Sequence, residues 1–308
     1  MNRIPDYAPR TRTGRHGCSQ PPVVDWGAVP QYDFAKRPKR EAPPLLVLGI
    51  DTATPVTSVA AGSETGTLAS MAVRNDRAHA ELLVPMVHQV LERAGVEGAA
   101  LGGIAVGTGP GLFTGLRVGV SSAKAMAQAW RLPVVAVPSL DVLAFACRHA
   151  GRPVCATIDG RRGELFAAVY RPAPGGVERV TDYRAVRPDD LAAELQALGG
   201  QVLVCGEGAL RYAAVLGRAG AAVELAGADT AAPSAGALVQ LALPRLQRGA
   251  VTPPLEVRPL YLRRPDVDPG AERRLASERA AATGAGAAGR LGGPGGPGGL
   301  GAAAVAGA

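Results

Sequence analysis

Two groups of residues have types and spacing suited to chemistry. The apolar run Leu45-Leu-Val-Leu-Gly-Ile-Asp51 ends in Asp51-Thr52-Ala-Thr54 and Pro55. Further along, Gly103-Ile-Ala-Val enters Gly107-Thr-Gly109-Pro-Gly111, and a segment of helical character leaves it from Thr114 to Trp130. Glycine permits positive φ and close backbone approach. Thr114 is placed as an N-cap, and a helix N-terminus offers unpaired N–H groups to an anion. Asp51 and Thr52 with Gly107, Gly109 and Gly111 therefore read in one of two ways. They form a phosphate loop with a metal-binding carboxylate, or a tight corner in which Asp51 bonds its own turn backbone. For Asp51 the turn is the plainer reading.

The elements that must position these residues are legible. Leu45 to Asp51 has the unbroken apolar character of a strand buried on both faces. Thr57–Ala61 and Leu68–Val73 continue it as a β-meander. Ala80 to Gly95 is an amphipathic helix whose stripe is Leu82, Leu83, Met86, Val87, Val90 and Leu91. Pro85 is assigned to its first turn and Gly95 to its C-cap. His79, just before it, reads as a capping or interface hydrogen-bonding group. The helix from Thr114 is rich in small residues, among them Gly115, Gly119, Ser122 and Ala123, which permit close packing within the chain or against a partner. Lys124, the single lysine of residues 45–265, reads as a surface or interface charge. A strand at Pro133–Val137 and a helix at Leu140–Ala150 follow.

Cys155-Ala-Thr-Ile-Asp159 then opens a second unit. Like the first, it has Ile-Asp, a polar turn, and a strand that resumes a few residues later. Asp51 and Asp159 correspond. Helices at Asp190–Leu198, Ala209–Ala219 and Ser234–Arg248, a strand at Gln201–Cys205 and a turn at Gly206-Glu-Gly208 complete an α/β chain of two lobes. Expected boundaries are a first lobe at 45–150 and a second at 151–265. Residues 1–44, rich in proline with the basic cluster Lys36-Arg-Pro-Lys-Arg40, and residues 266–308, rich in Ala, Gly and Pro, are expected to be disordered.

Composition excludes several classes. The chain has 308 residues, 47% of them hydrophobic, and a net charge of +7. Residues 1–44 hold eight basic against four acidic residues, but 45–265 hold 21 against 18. The folded part is thus only mildly basic, unlike a dedicated nucleic-acid binder. Cys18, Cys147, Cys155 and Cys205 form no C-x-x-C pair, which argues against zinc and against a disulfide framework. No apolar run reaches the roughly 18 residues of a membrane span, and no signal peptide is visible. A cytoplasmic protein with no membrane association is expected.

Several motifs carry a family resemblance when taken in order: Leu48-Gly-Ile-Asp-Thr-Ala-Thr54, Arg77-Ala-His-Ala-Glu-Leu-Leu83, Gly109-Pro-Gly-Leu-Phe-Thr-Gly-Leu-Arg117, Ile158-Asp-Gly-Arg-Arg162, Glu164 and Pro259-Leu-Tyr-Leu-Arg263. Across residues 45–265 the chain resembles the TsaB (YeaZ) family. That resemblance implies the two-lobed actin-like ATPase (ASKHA, RNase H-like) fold. It implies a role in forming N6-threonylcarbamoyladenosine at position 37 of tRNA, beside a catalytic paralogue, TsaD, and an ATPase, TsaE. In TsaD a metal is held by H-x-x-x-H on the helix after the strand that follows the Gly-Pro-Gly helix. Here that place reads Val137-Pro-Ser-Leu-Asp-Val-Leu-Ala144, without histidine, and the four histidines (His16, His79, His88 and His149) are dispersed. Two imidazoles at i and i+4 are the minimum such a site needs.

The expectation is a non-catalytic, dimerising subunit that meets tRNA indirectly, through the complex, with no intrinsic cofactor and ATP or ADP held chiefly by partners. Leu82, Met86, Thr114, Gly115 and Gly119 are the expected partner interface. Asp51, Thr52 and the glycine loop are expected at the inter-lobe cleft as a vestigial nucleotide site. A homodimer in isolation is compatible with this reading. The alternative is a small-molecule kinase of the same fold, with Asp51 as metal ligand and Asp159 and Gly206-Glu-Gly208 around ATP. A glycoprotease reading has no metal motif or nucleophile–base pair to support it.

Overall fold

A strand that is apolar on both faces needs a helical layer on each side. In the computed structural model, which describes residues 44–75 and 78–263, β1 (Val47–Asp51) is buried at every position. It lies at the centre of a five-stranded sheet. β2 (Val56–Ser63) and β3 (Gly66–Arg74) follow it antiparallel, and β4 (Gly103–Gly107) and β5 (Val134–Val137) add on its other side in parallel, giving the order β3-β2-β1-β4-β5. On one face lie α1 (His79–Ala94) and α2 (Phe113–Trp130). Leu83, Val87 and Val90 of α1 and Val120 and Ala123 of α2 close the core over Leu48, Ile50 and Ile104. Gly95 ends α1 in a left-handed conformation, as its position after the apolar stripe predicts. Pro85 lies inside α1 rather than in its first turn, since the helix starts at His79. The N-cap of α2 is Leu112, two residues before Thr114.

The second sheet repeats the scheme. β6 (Val154–Arg161), β7 (Glu164–Ala173) and β8 (Gly176–Arg179) form its meander. β10 (Val202–Cys205) and β11 (Val223–Leu225) add in parallel, for the order β11-β10-β6-β7-β8, and β9 (Arg184–Val186) pairs with β7. The Ile-Asp units seen in the sequence thus lie in topologically equivalent first strands, Asp51 at the end of β1 and Asp159 two residues before the end of β6. α4 (Pro188–Ala197) and the short α5 (Glu207–Arg211) and α6 (Ala213–Leu216) cover one face, with Leu191, Leu195 and Leu216 in its core.

The inner faces are closed by an exchange. α3 (Ser139–Ala146) follows the first sheet in sequence but packs Leu140, Leu143 and Ala144 on Ile158, Phe166 and Tyr170 of the second. α7 (Ala235–Gln247) follows the second sheet but lies on β1 and β2 of the first. Ala235 N–H donates to Ser58 Oγ at 2.9 Å, and a Cβ on Gly103 would come within 2.7 Å of Leu246. Val257 also joins the first core. The expected lobe boundaries, 45–150 and 151–265, are corrected accordingly. Residues 139–146 serve the second lobe and 235–257 the first, because each sheet's inner face is apolar and the chain covers it with a helix from the other half.

The expected disordered segments, the helix near Ala271–Ala282, Cys18, His16, Arg77 and the basic cluster lie outside the described residues. Cys147, Cys155 and Cys205 are buried free thiols. Among the described residues no helix is long and apolar enough to cross a membrane.

If α7 is part of the first core, truncating it there must destabilise the protein as a core cavity does. Leu246 is fully buried. Leu246→Ala is expected to lower unfolding free energy by about 2–4 kcal/mol in urea titration; a change below about 0.5 kcal/mol would contradict the placement.

Candidate functional site

Asp51 ends β1 with 1% of its surface exposed. Its Oδ1 accepts the Ala53 N–H at 2.9 Å, so it does bond its own turn. Its Oδ2 accepts the Ser139 hydroxyl at 2.7 Å, and Ser139 Oγ in turn accepts the Gly109 N–H at 3.1 Å. One carboxylate thereby ties β1, the glycine loop and the first residue of α3. Burial pushes its pKa up to about 6, with the Ala53 and Ser139 hydrogen bonds pulling the other way. Ser139 escapes sequence reasoning because its partner is 88 residues away.

The glycine loop is fitted against the same corner. A Cβ on Gly107 would fall 1.8 Å from Asp51 Oδ2, and one on Gly111 would fall 2.1 Å from the Ala53 carbonyl oxygen. Gly109 holds φ +94° and joins Pro110 through a cis peptide. The close approach that these glycines permit is made to the chain's own first strand. Thr52 is buried and donates its hydroxyl to the Gly115 carbonyl at 2.7 Å.

Three residues expected at a partner surface are interior instead. Met86 is 3% exposed, within the first core. A Cβ on Gly115 would meet Thr52 O at 2.2 Å, and one on Gly119 would meet Thr52 Oγ1 at 2.2 Å. The small-residue stripe of α2 therefore lets that helix approach the end of β1 within the chain. Leu82 is half-buried against the core, while Thr114 is exposed. The faces of α1 and α2 turned to solvent carry Val84 (61% exposed), Pro85 and His88, and Thr114, Ser121 and Ala125. His79 is buried with Nδ1 2.7 Å from Thr57 Oγ1, a bond within the chain rather than at an interface. Lys124 is likewise committed internally, donating to the carbonyls of Leu255 at 3.1 Å and Val257 at 3.3 Å.

The second lobe places Asp159 at the equivalent corner. It too is buried and accepts the N–H two residues on, from Arg161 at 3.0 Å. Its Oδ2 faces the guanidinium groups of Arg161 and Arg211, each at 3.3 Å. Glu207 lies beside it, its pKa pushed up to about 7 by burial and by the Asp159 charge. Its Oε1 has no hydrogen-bond partner. Among the described residues no trio of His, Cys, Asp or Glu is grouped to hold a metal ion.

Between the lobes lies a cleft of about 310 Å³. One wall is Pro110 to Phe113, the other is Asp159 to Arg162 with Phe166, and Leu260 to Arg263 form a third side. Arg263 is fixed there by an ion pair to Glu164 at 3.0 Å and a hydrogen bond to the Gly160 carbonyl. Asp51, sealed behind the glycine loop, does not line this cleft, whereas Gly111 and Asp159 do.

Comparison with known proteins bears on this geometry. A family model described as "TsaD: tRNA N6-adenosine threonylcarbamoyltransferase" matches residues 70–233. The Escherichia coli (strain K12) tRNA threonylcarbamoyladenosine biosynthesis protein TsaB is 30% identical over 220 residues, covering 70% of this chain and 94% of that protein. The structure of YeaZ from Pseudomonas aeruginosa superposes with a TM-score of 0.63 at 30% identity, over 71% of this chain and 100% of that one. The chain belongs to the TsaB (YeaZ) family. Its paired sheets, each a meander extended by parallel strands, make a two-lobed α/β fold, shared with YeaZ. The corresponding Bacillus subtilis (strain 168) TsaB protein is 30% identical over 162 residues, covering 53% of this chain and 71% of that protein.

The corner around Asp51 has a measurable signature. Burial raises its folded-state pKa from 3.8 to about 6. Between those values the folded protein binds the extra proton, so stability falls as pH rises through that window, by up to about 3 kcal/mol. Asp51→Asn keeps the acceptor for Ala53 and removes the titration. Its stability relative to the parent, from urea denaturation at pH 4 and pH 7, is expected to improve with rising pH; a pH-independent difference would show that the carboxyl does not titrate there. Ser139→Ala leaves Asp51 Oδ2 and the Gly109 N–H without that partner and is expected to cost about 2–3 kcal/mol by the same measurement.

Proposed function

We propose that this chain is the non-catalytic, partner-binding subunit of a tRNA N6-threonylcarbamoyladenosine transferase, acting in the cytoplasm with a TsaD-type catalytic subunit. The observation that carries the reading is the closed corner at Asp51. A phosphotransferase of this fold needs that carboxylate open to a metal-bound phosphate. Here both its oxygens are hydrogen-bonded inside the chain and the glycine loop lies directly against it. α3 supports the same reading. Where the catalytic paralogue would carry its imidazole pair, this helix uses Ser139 to hold Asp51, and Asp141 accepts the hydroxyls of Tyr170 at 2.8 Å and Tyr183 at 2.7 Å.

The partner is the paralogue because both chains offer the same kind of first lobe, which favours a pseudo-symmetric pairing through like faces. The face proposed here is the outward side of α1 and α2, centred on Val84, Thr114, Ser121 and Ala125, in place of the interior Met86, Gly115 and Gly119. Self-association through the same face would give a homodimer when the partner is absent. A TsaE-type ATPase and the nucleotide belong to the assembled complex.

Purified alone, the chain is expected to turn over no ATP and to modify no tRNA; vigorous ATP hydrolysis by the lone protein would refute the reading. Mixed with its TsaD-type partner it is expected to elute as a heterodimer in size-exclusion chromatography. Val84→Arg or Ala125→Arg is expected to weaken that assembly by at least about tenfold while the monomer stays folded. Met86→Arg is expected to unfold the chain, because it buries an unpaired charge.

A further inference from the structure

The mouth of the inter-lobe cleft is a basic and aromatic surface that the subunit reading leaves without a task. Three arginines, Arg161, Arg162 and Arg263, line the cleft; Arg161 faces Asp159 and Arg263 is paired with Glu164. At its edge the rings of Phe113 and Tyr261 lie 5.2 Å apart between centroids, tilted by 38°. The Arg117 guanidinium sits 3.8 Å over the Phe113 ring and its Nε donates to the Tyr261 hydroxyl at 3.3 Å. Both rings remain more than a third exposed, at 36% and 38%. Exposed aromatic faces stacked with guanidinium groups are the chemistry by which proteins hold unpaired bases.

The hairpin between β6 and β7 adds a second observation. Arg161 and Arg162 adopt φ of 62° and 54°. Glycine or asparagine would make this turn with less strain. The chain instead places two long cations there, and they line the cleft opposite Pro110 to Phe113. Strain at a cavity wall is a pointer to a binding role when other features converge on the same place.

We propose that the cleft mouth binds RNA directly, with phosphodiester groups on the Arg161–Arg162 hairpin and an unpaired base against the Phe113–Tyr261 pair. The proposal rests on the tRNA-modification reading above and gives this subunit its own contact with the substrate. A metal-bound nucleotide fits less well. Asp51 is closed off, and Asp159 is already held by Arg161 and Arg211. An acidic peptide would engage the arginines but has no need of the exposed ring pair.

The test measures binding of an unmodified tRNA transcript by fluorescence anisotropy, to the heterodimer with the TsaD-type partner and to this chain alone, across a salt series. Arg162→Gly suits the left-handed backbone at this turn, and its Tm is measured alongside to show that the fold is kept. Its tRNA affinity is expected to fall about fivefold, with the slope of log K against log salt shallower by about one. Tyr261→Ala is expected to weaken binding about tenfold with the slope unchanged. Heterodimer elution is expected to be unaffected by either. Unchanged tRNA affinity in both variants overturns the proposal. So does loss of heterodimer in either variant, which would assign the cluster to a protein partner, and so does displacement of the tRNA by stoichiometric ATP, which would assign it to nucleotide. If the parent chains fail to assemble, the subunit reading fails, while the titrations on the single chain still decide the RNA contact.

Discussion

A single buried carboxylate sets the geometry of the first lobe. Asp51 has given up water on all sides and recovers its hydrogen bonds from Ala53 and Ser139. A buried charge is tolerated only when its acceptor sites are filled. Filling them fixes where α3 begins, because Ser139 must reach the end of β1. It also fixes the glycine loop, since Ser139 receives the Gly109 N–H and no side chain fits at Gly107. α2 then starts where the loop releases it, with Gly115 and Gly119 against Thr52. The corner that the sequence offers as a ligand site is turned in on itself.

The second lobe has the same corner with a different solution. Asp159 makes the matching bond to the N–H two residues on, but its outer oxygen meets two arginines instead of a serine. One half of the repeat is therefore sealed by a neutral hydroxyl and the other is left charged and close to the cleft. The asymmetry closes the corner of the first lobe and puts the charged hairpin of the second, Arg161 and Arg162, at the cleft.

What could be read from the sequence follows the range of the interactions involved. β1 was legible because a strand covered on both faces must be apolar without interruption, and α1 because its stripe has helical period. The two Ile-Asp corners were legible as a weak repeat, and the topology explains them as lying in equivalent first strands. β8, β9 and β11 left no signal, being three or four residues long and half-exposed or exposed. Gly115, Gly119 and Met86 were misplaced because a stripe of small or apolar residues looks the same whether it meets a partner or the chain's own strand. Ser139, Arg211 and Tyr261 were missed for another reason. Each acquires its role from a residue 88, 52 or 144 positions away, through contacts that no local pattern encodes.

The exchange of α3 and α7 has a consequence for how the protein is made. β1 and β2 leave the ribosome early, but the helix that covers their inner face comes much later; the Ala235–Ser58 bond spans 177 residues. At ordinary elongation rates that gap lasts on the order of ten to thirty seconds. During that interval a nearly complete, strongly apolar sheet has one face uncovered. The first lobe is thus the first half to be synthesised and the last to be finished, and the nascent chain must be kept from other apolar surfaces until its own closing helix emerges.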